Sequence, residues 1–544
     1  MKYLILCTLF SFNLYAQDFY TPEQRAAWLS KAERFKPKLT ERVVKPVQIV
    51  SIVADPNVFQ GWKATKSGSL KDFYENSFKT QSGTIFDFGD HLTGHFSLSI
   101  KELRGVMDGP LRLKLTFGEV PAEVVTPFDP YTGSLSRAWL QDEIITVDDI
   151  SVPIKVNRRI AFRYLKIELL GSSPYFDFAI NDMQFVATTS VATQPEPLAT
   201  TTEKLVQDID RIGLATLREC MQTVYEDGPK RDQRLWLGDL YLESLANNFS
   251  FKNHDLTRRC LYLMAGVSKT TGYLNHTLFE GPKPHGQDGA PFLFEYSLLF
   301  NVTLKEFLIQ SGDRQTAEDL WPVAKKQLEN ITVHLNEQGL LNAEAASKAR
   351  WWLFVDWNDK LDKQTSVQGI MIFALKHTYE LAKALGKEKE LAHVPALIKK
   401  LTDAARKNLY DKKLGLFISG PSRQISYASQ AWMVLSGVAS QTEGQKALLA
   451  VQTNLVAVRP GAPYLVHYFI EAMIQSGLKK EAREMLVEYW GGMVKKGADT
   501  FWEVYDPKND QLSPYNFFPM NSYCHAWSCT PVYFIRKYPD IFQK

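Results

Sequence analysis

The stretch TTSVATQPEPLATTTE, Thr188–Glu203, decides how this chain is built, because the hydrophobic period changes across it. Rich in Thr, Ala and Pro, it reads as a linker. Upstream, from about residue 46 to 190, GTIFDFGDHLTGHFSLSIKEL and PLRLKLTFGEV alternate apolar and polar residues, with Gly, Asp and Pro between the runs. RRIAFRYLKIELLG and YFDFAINDMQFVAT continue the pattern. Short strands separated by turn signals predict a β-sandwich. Downstream of Thr202 the apolar residues recur at helical spacing, as in EKLVQDIDRIGLATLRECMQTV, PFLFEYSLLFNVTLKEFLIQSG and VQGIMIFALKHTYELAKALG. Most of these runs end in Gly or a short polar turn, and around a dozen helices are expected. Helical hairpins in that number can close into an α/α toroid; without a visible fixed repeat, an open helical array fits the pattern equally well. The reading is therefore multidomain: an N-terminal segment (17–45), a β-sandwich (46–190), a linker (191–201) and an all-α domain (202–544).

The chain has 544 residues, 45% of them hydrophobic and 12% aromatic, enough for more than one domain and a sizeable core. A formal charge of +3 is near balance and gives no reason to expect nucleic acid as a partner. MKYLILCTLFSFNLYAQDFY joins Lys2 to an apolar run and then Ala16, the pattern of a signal peptide over residues 1–16. A periplasmic or secreted protein is expected, with no membrane span, since no later run is long and apolar enough. Export would leave Cys220, Cys260, Cys524 and Cys529, whose spacing matches no zinc pattern. Buried free thiols are expected, with one bridge possible. The sequence carries no HExxH, close His pair or EF-hand spacing, so neither metal nor cofactor is predicted.

Five long loops interrupt the helices: YEDGPKRDQRLWLGD, LFEGPKPHGQDGAPF, KARWWLFVDWNDKLDKQ, KKGADTFWEVYDPKND and NSYCHAWSCTPVYF. Each mixes carboxylates or His with aromatics. Aromatic faces stack on the C–H face of a pyranose while charged groups take its hydroxyls. Glycosidic cleavage needs a pair of carboxyl groups, one to protonate the leaving oxygen and one to act as base or nucleophile. Candidate acids are Asp227, Asp232 and Asp239; candidate bases are Glu503 and Asp356. An Asp beside an Arg is ordinarily a surface ion pair or helix cap; Trp236, Trp357 and Trp502 next to these acids weigh against that here. Glu295 and Tyr296 read as half helix start and half pocket rim, Trp351 and Trp352 as core, and His467 as a core histidine.

DGPKRDQRLWLGD resembles the acidic-loop signature of the α-L-rhamnosidases of glycoside hydrolase family 78, a six-hairpin glycosidase family. YWGGMVKKGADTFWEVYDP is similar to the family's late segment, where a Trp-Glu pair supplies the general base. NSYCHAWSCTPVYF resembles the following segment, which lends a His to the sugar site. FDFGDHLTGHFSL and LTFGEV resemble the β-sandwich that precedes the catalytic toroid. The resemblance implies a β-sandwich followed by an (α/α)6 toroid, and an inverting hydrolase that releases α-linked terminal L-rhamnose from an oligosaccharide or glycoside. It places Asp232 at the general acid and Glu503 at the general base. Asp227 and Asp239 fall on carboxylates that hold rhamnose hydroxyls, with Arg231 between them. Trp357 and Trp502 would stack on or wall the sugar, with Trp236 shifted by one residue, and His525 would hydrogen-bond a hydroxyl; Asp356 remains a candidate beside Trp357. The chain departs from the pattern at Gln233, where many members carry Glu, and in lacking a following C-terminal β domain. An unsaturated uronyl hydrolase and a degenerate carbohydrate-binding protein are the alternative readings. Asp227 and Asp239 would raise the pKa of Asp232 and Arg231 and Arg234 would lower it, a balance that sequence leaves open.

Overall fold

The computed structural model describes residues 18–287 and 289–544; the expected signal peptide lies outside them. The N-terminal part is a sheet domain and the remainder is helical. Nine antiparallel strands make up the sheet domain, and the strand Thr84–Gly105 organises them. Its first half pairs with Ile160–Gly171 and its second with Phe176–Thr189, with a register shift between Asp87 and Leu92 where it bends. Along it, His95 is exposed and Phe96, Leu98 and Ile100 are buried, so one face builds a core while the other stays polar. Phe96, Phe117 and Phe162 close that core through edge-to-face contacts.

The segment before the sheet joins the helical part. Thr21 caps the helix Pro22–Arg34, which packs on the helix His254–Gly266 through Trp28 and Ala32. Arg259 donates to the Ala32 carbonyl at 2.7 Å. From there the chain crosses to the sheet domain, where Thr40–Val44 pairs with the end of Phe176–Thr189.

Among the helices, Leu237–Asn248, Phe294–Ser311, Gln364–Leu385, Tyr427–Leu435 and Pro463–Gln475 touch one another in that succession. The short turn Ala526–Cys529 and the helix Pro531–Lys537 then return to Leu237–Asn248. The expected glycine stops are present: Phe294–Ser311 and Gln364–Leu385 end at Gly312 and Gly386, with φ of 71° and 70°. A cavity of about 320 Å³ within this group of helices is lined by Tyr241, His467 and Tyr468. His467 is buried there, as expected, but it lines the cavity and its Nδ1 has no hydrogen-bond partner among the described residues, so it is not the satisfied core histidine the sequence suggested. The helix starts and long loops enclose a second cavity. Among the described residues no helix is long and apolar enough to cross a membrane. Cys220, Cys260, Cys524 and Cys529 are buried free thiols.

Candidate active site

The second cavity gathers the acidic loop, the Trp-Glu segment and the His-Ala-Trp segment. The acidic loop folds back on itself: the Asp227 N–H donates to the Arg234 carbonyl at 3.1 Å, and the Gln233 N–H to the Arg231 carbonyl at 2.7 Å. Asp232 and Gln233 at its tip adopt left-handed backbone, with φ of 61° and 51°, a conformation that costs a non-glycine residue free energy. The Gln233 side chain turns inward to the Pro229 carbonyl at 2.7 Å and holds the tip closed. Leu235–Trp236 then pairs with Thr277–Leu278, and the helix that begins at Leu237 carries Asp239 in its first turn.

Backbone bonds join the three motifs. The Glu503 N–H donates to the Ser522 carbonyl at 2.9 Å, the His525 N–H to Phe501 at 2.9 Å and the Ala526 N–H to Asp227 at 2.8 Å. Trp527 donates its indole N–H to the Glu503 carbonyl at 3.0 Å.

The carboxyls differ sharply in surroundings. Glu503 is 1% exposed, and Arg231 Nη2 reaches its two oxygens at 2.9 and 3.1 Å. It also accepts from the Ser522 N–H at 3.1 Å and from the Tyr515 hydroxyl. Burial alone would raise its pKa, but the Arg231 guanidinium and these hydrogen bonds hold it below the usual carboxylate range. Asp232 is likewise buried yet held low, by Arg231 at 3.4 Å and Arg234 at 2.8 Å. Asp227 goes the other way: burial, then the neighbouring charges of Asp232 and Asp239, push it well above its ordinary value. Asp227 therefore carries the proton while Asp232 beside it is ionised. Burial and the Glu503 charge also raise Asp239. Burial lowers His525 to about 4, so its ring is neutral near pH 7. The cavity thus holds ionised and protonated carboxyls together, the division that acid–base chemistry requires.

Of the residues read from sequence, Asp227, Arg231, Asp232, Trp236, Asp239, Trp357, Glu503 and His525 line this cavity. The Trp236 and Trp357 indole N–H groups, Asp239 Oδ1 and His525 Nδ1 have no hydrogen-bond partner among the described residues. They are donors and acceptors suited to the hydroxyls of a sugar.

Two residues expected at the sugar lie outside the cavity. Trp502 does not wall the cavity: it is 2% exposed and stacks on Phe59 of the sheet domain, with centroids 3.9 Å apart. Asp356 also faces away, accepting from the Gly461 N–H at 2.5 Å beside the start of the helix Pro463–Gln475. Burial raises it to about 7. In each case the neighbour in sequence, Glu503 or Trp357, faces the cavity instead.

The cavity also takes in Tyr296, Trp352, Phe354, Tyr515 and Trp527. Trp352 corrects the core reading, whereas Trp351 does pack on Phe294, at 4.7 Å between centroids. Glu295 is buried next to Tyr296 in sequence, and neither of its oxygens has a hydrogen-bond partner among the described residues. Tyr515 was hidden because its loop, QLSPYNFFPM, carries no titratable pair to draw attention.

Comparison with known proteins places both parts of the chain. Residues 46–187 match the glycosyl hydrolase family 78 α-rhamnosidase N-terminal domain, and residues 198–538 the bacterial α-L-rhamnosidase six-hairpin glycosidase domain. The structure is similar to that of a rhamnosidase from Klebsiella oxytoca with rhamnose bound, at 39% identity and a TM-score of 0.89, covering 94% of this chain and 99% of that one. It shares its fold with the family 78 rhamnosidase of Bacillus sp. GL1, at 21% identity and a TM-score of 0.67, over 83% of this chain and 46% of that longer one. An N,N'-diacetylchitobiose phosphorylase of Vibrio proteolyticus is 24% identical over 184 residues, which span 30% of this chain and only 22% of the phosphorylase.

Proposed function

The chain belongs to the α-L-rhamnosidases of glycoside hydrolase family 78, and from that membership we propose that its buried carboxyl cluster releases terminal α-L-rhamnose with inversion at the anomeric carbon. The observation that carries the proposal is the placement of Arg231 between two carboxyls of one cavity, with Nη2 at 2.9 and 3.1 Å from the Glu503 oxygens and Nη1 at 3.4 Å from Asp232. Glu503 is kept as a carboxylate, while the Asp227–Asp232 pair holds a proton in the same cavity.

Glu503 then acts as the general base, taking a proton from a water that attacks the anomeric carbon. Its bond to Arg231 keeps it ionised before the reaction. Asp232 donates a proton to the departing glycosidic oxygen. The single proton of the pair rests on Asp227, and it passes to Asp232 as Asp232 protonates the departing oxygen, which leaves both carboxyls ionised and one proton on the leaving group. Asp232 is the member at the loop tip, with its side chain 11% exposed, and so the one that reaches an aglycone. The missing acid at Gln233 is thereby accounted for: Gln233 braces the loop and Asp232 supplies the proton. Asp239 and His525 take hydroxyls through their unpartnered atoms, and Trp357 and Trp236 wall the ring. The ring of helices around the cavity is read as an (α/α)6 toroid, the sheet domain as a β-sandwich, and the protein as exported. The family match removes the basis for the uronyl hydrolase alternative.

The test is turnover of an aryl α-L-rhamnoside by wild type, Asp232→Asn and Glu503→Gln, with the first anomer released followed by proton NMR. Inversion requires β-L-rhamnose first, and each substitution should lower kcat by about 10²–10⁴-fold. Release of the α-anomer first, or an active Asp232→Asn beside an inactive Asp227→Asn, would overturn the assignment.

A further inference from the structure

Beneath the acidic loop lies a buried charged cluster that the chemistry above does not use, and it belongs to both domains. Glu119 follows the strand Leu111–Gly118, and Glu123 sits in the turn Pro121–Val124. Both aim their carboxyls out of the sheet domain at Lys230, the residue before Arg231. The Lys230 ammonium is 2.7 Å from Glu123 Oε1 and 3.0 Å from Glu119 Oε2, and it donates to the Pro519 carbonyl at 3.3 Å. Glu119 Oε1 meets His91 Nε2 at 3.0 Å, and Oε2 accepts the Tyr523 N–H at 2.6 Å. Glu123 Oε2 takes the N–H groups of Glu119 and Val120, at 2.6 and 3.2 Å. Lys230 is 4% exposed and the three sheet-domain residues 2% each.

A contact that served only to glue two domains together has no need of four ionisable groups. Burying them is costly, and well-packed apolar residues would hold as firmly. What the charges add is direction, and they point at both halves of the cavity. Lys230 precedes Arg231, the partner of Glu503. Tyr523 follows Ser522, whose N–H also bonds Glu503, and lies two residues before His525. One sheet-domain turn therefore fixes both segments that fix Glu503.

We propose that Glu119 and Glu123 are positioning residues for the hydrolysis: by gripping Lys230 and the Tyr523 N–H, they hold Arg231 and Ser522 in place on Glu503. The proposal rests on the assignment of Glu503 as the base. It makes the sheet domain part of the catalytic machinery.

Glu119→Gln and Glu123→Gln test it, with kcat, KM and the pH profile of kcat/KM measured on an aryl α-L-rhamnoside. The expected result is a kcat at least about tenfold lower with KM changed less than about threefold. The acidic limb should move up by about half a pH unit or more, because a loosened Arg231 no longer depresses Glu503. If a single variant fails to fold with Lys230 left on one carboxylate, Lys230→Met with Glu123→Gln removes that charge pair together, and the same lowered kcat and raised limb are expected. Folded variants with wild-type kcat and an unmoved limb, even at a lower Tm, would overturn the proposal. Glu503→Gln measured in parallel separates the failures. Inactive Glu503→Gln beside fully active Glu119→Gln and Glu123→Gln refutes the clamp alone, whereas active Glu503→Gln refutes the base assignment and the clamp with it.

Discussion

Arg231 is the residue on which the protonation pattern turns, so its removal gives the sharpest prediction. Its Nη2 spans both Glu503 oxygens and the Tyr515 hydroxyl, its Nε donates to the Met520 carbonyl at 3.1 Å, and its guanidinium lies 4.5 Å from the centre of the Tyr515 ring. In Arg231→Met, Glu503 keeps Tyr515 and the Ser522 N–H but loses its cation. A cation at this range depresses a carboxyl by about 1–3 pK units, or about 1.4–4 kcal/mol. The sign follows directly: Glu503 sits below its ordinary pKa because of Arg231, so removing Arg231 raises it, and the base is lost at a higher pH than in wild type. The acidic limb of kcat/KM should therefore move up by about 1–3 units. Asp232 keeps Arg234 at 2.8 Å and should rise less. Arg231→Lys keeps a charge without the two-oxygen reach and should fall between wild type and Arg231→Met. Breaking this buried pair is also expected to cost about 3–5 kcal/mol of stability, so rates must be read below the melting transition. A folded Arg231→Met with its acidic limb in the wild-type position would refute the claim that Arg231 sets the ionisation of Glu503.

Other substitutions separate sugar contacts from packing. Trp357→Ala should raise KM for an aryl rhamnoside by about tenfold, whereas Trp502→Ala should leave KM alone and lower unfolding free energy by about 3–5 kcal/mol, as seen by denaturant titration. In Gly238→Ala the added Cβ would lie 2.2 Å from the Tyr296 ring, so Tyr296 must shift in the cavity and kcat/KM should fall about tenfold or more in steady-state assays. Glu295, buried and raised to about 8, is protonated in the folded state at pH 7 but ionised when unfolded. Its favourable contribution is complete below the unfolded pKa and is lost as pH rises toward 8. Glu295→Gln should therefore be more stable than wild type by on the order of 3 kcal/mol at pH 7, with the gain vanishing near pH 4.5 in melts across pH.

The two-part organisation was legible because a period-two pattern and a helical one cannot be confused over stretches this long. His95 to Ile100 alternates in the structure as it does in the sequence, and the glycines after Ser311 and Leu385 stop the helices they follow. The docking of the helix Pro22–Arg34 was not legible, since it rests on contacts such as Arg259 with Ala32, 227 residues apart, that no local pattern encodes. The acids of the loop announced themselves by density of charge. Tyr515 and Trp527 did not, because an aromatic in an uncharged loop looks the same whether it faces a cavity or a core.

The two misplaced residues share one pattern. Asp356-Trp357 and Trp502-Glu503 are mirror-image pairs, an acid beside a tryptophan, and each was read as though both members faced the sugar. At both pairs the cavity takes one member and the protein interior takes the other. The carboxylate without a basic partner, Asp356, found backbone N–H groups; the one matched by Arg231 became the buried ionised group of the cavity. Which member turns inward is thus decided by where the compensating charge lies, and the only loop rich enough in arginine to supply it is the one that also carries the acid. The same dependence explains Lys230, whose partners sit more than a hundred residues away in the sheet domain: a buried cation is legible only once its carboxylates are placed beside it.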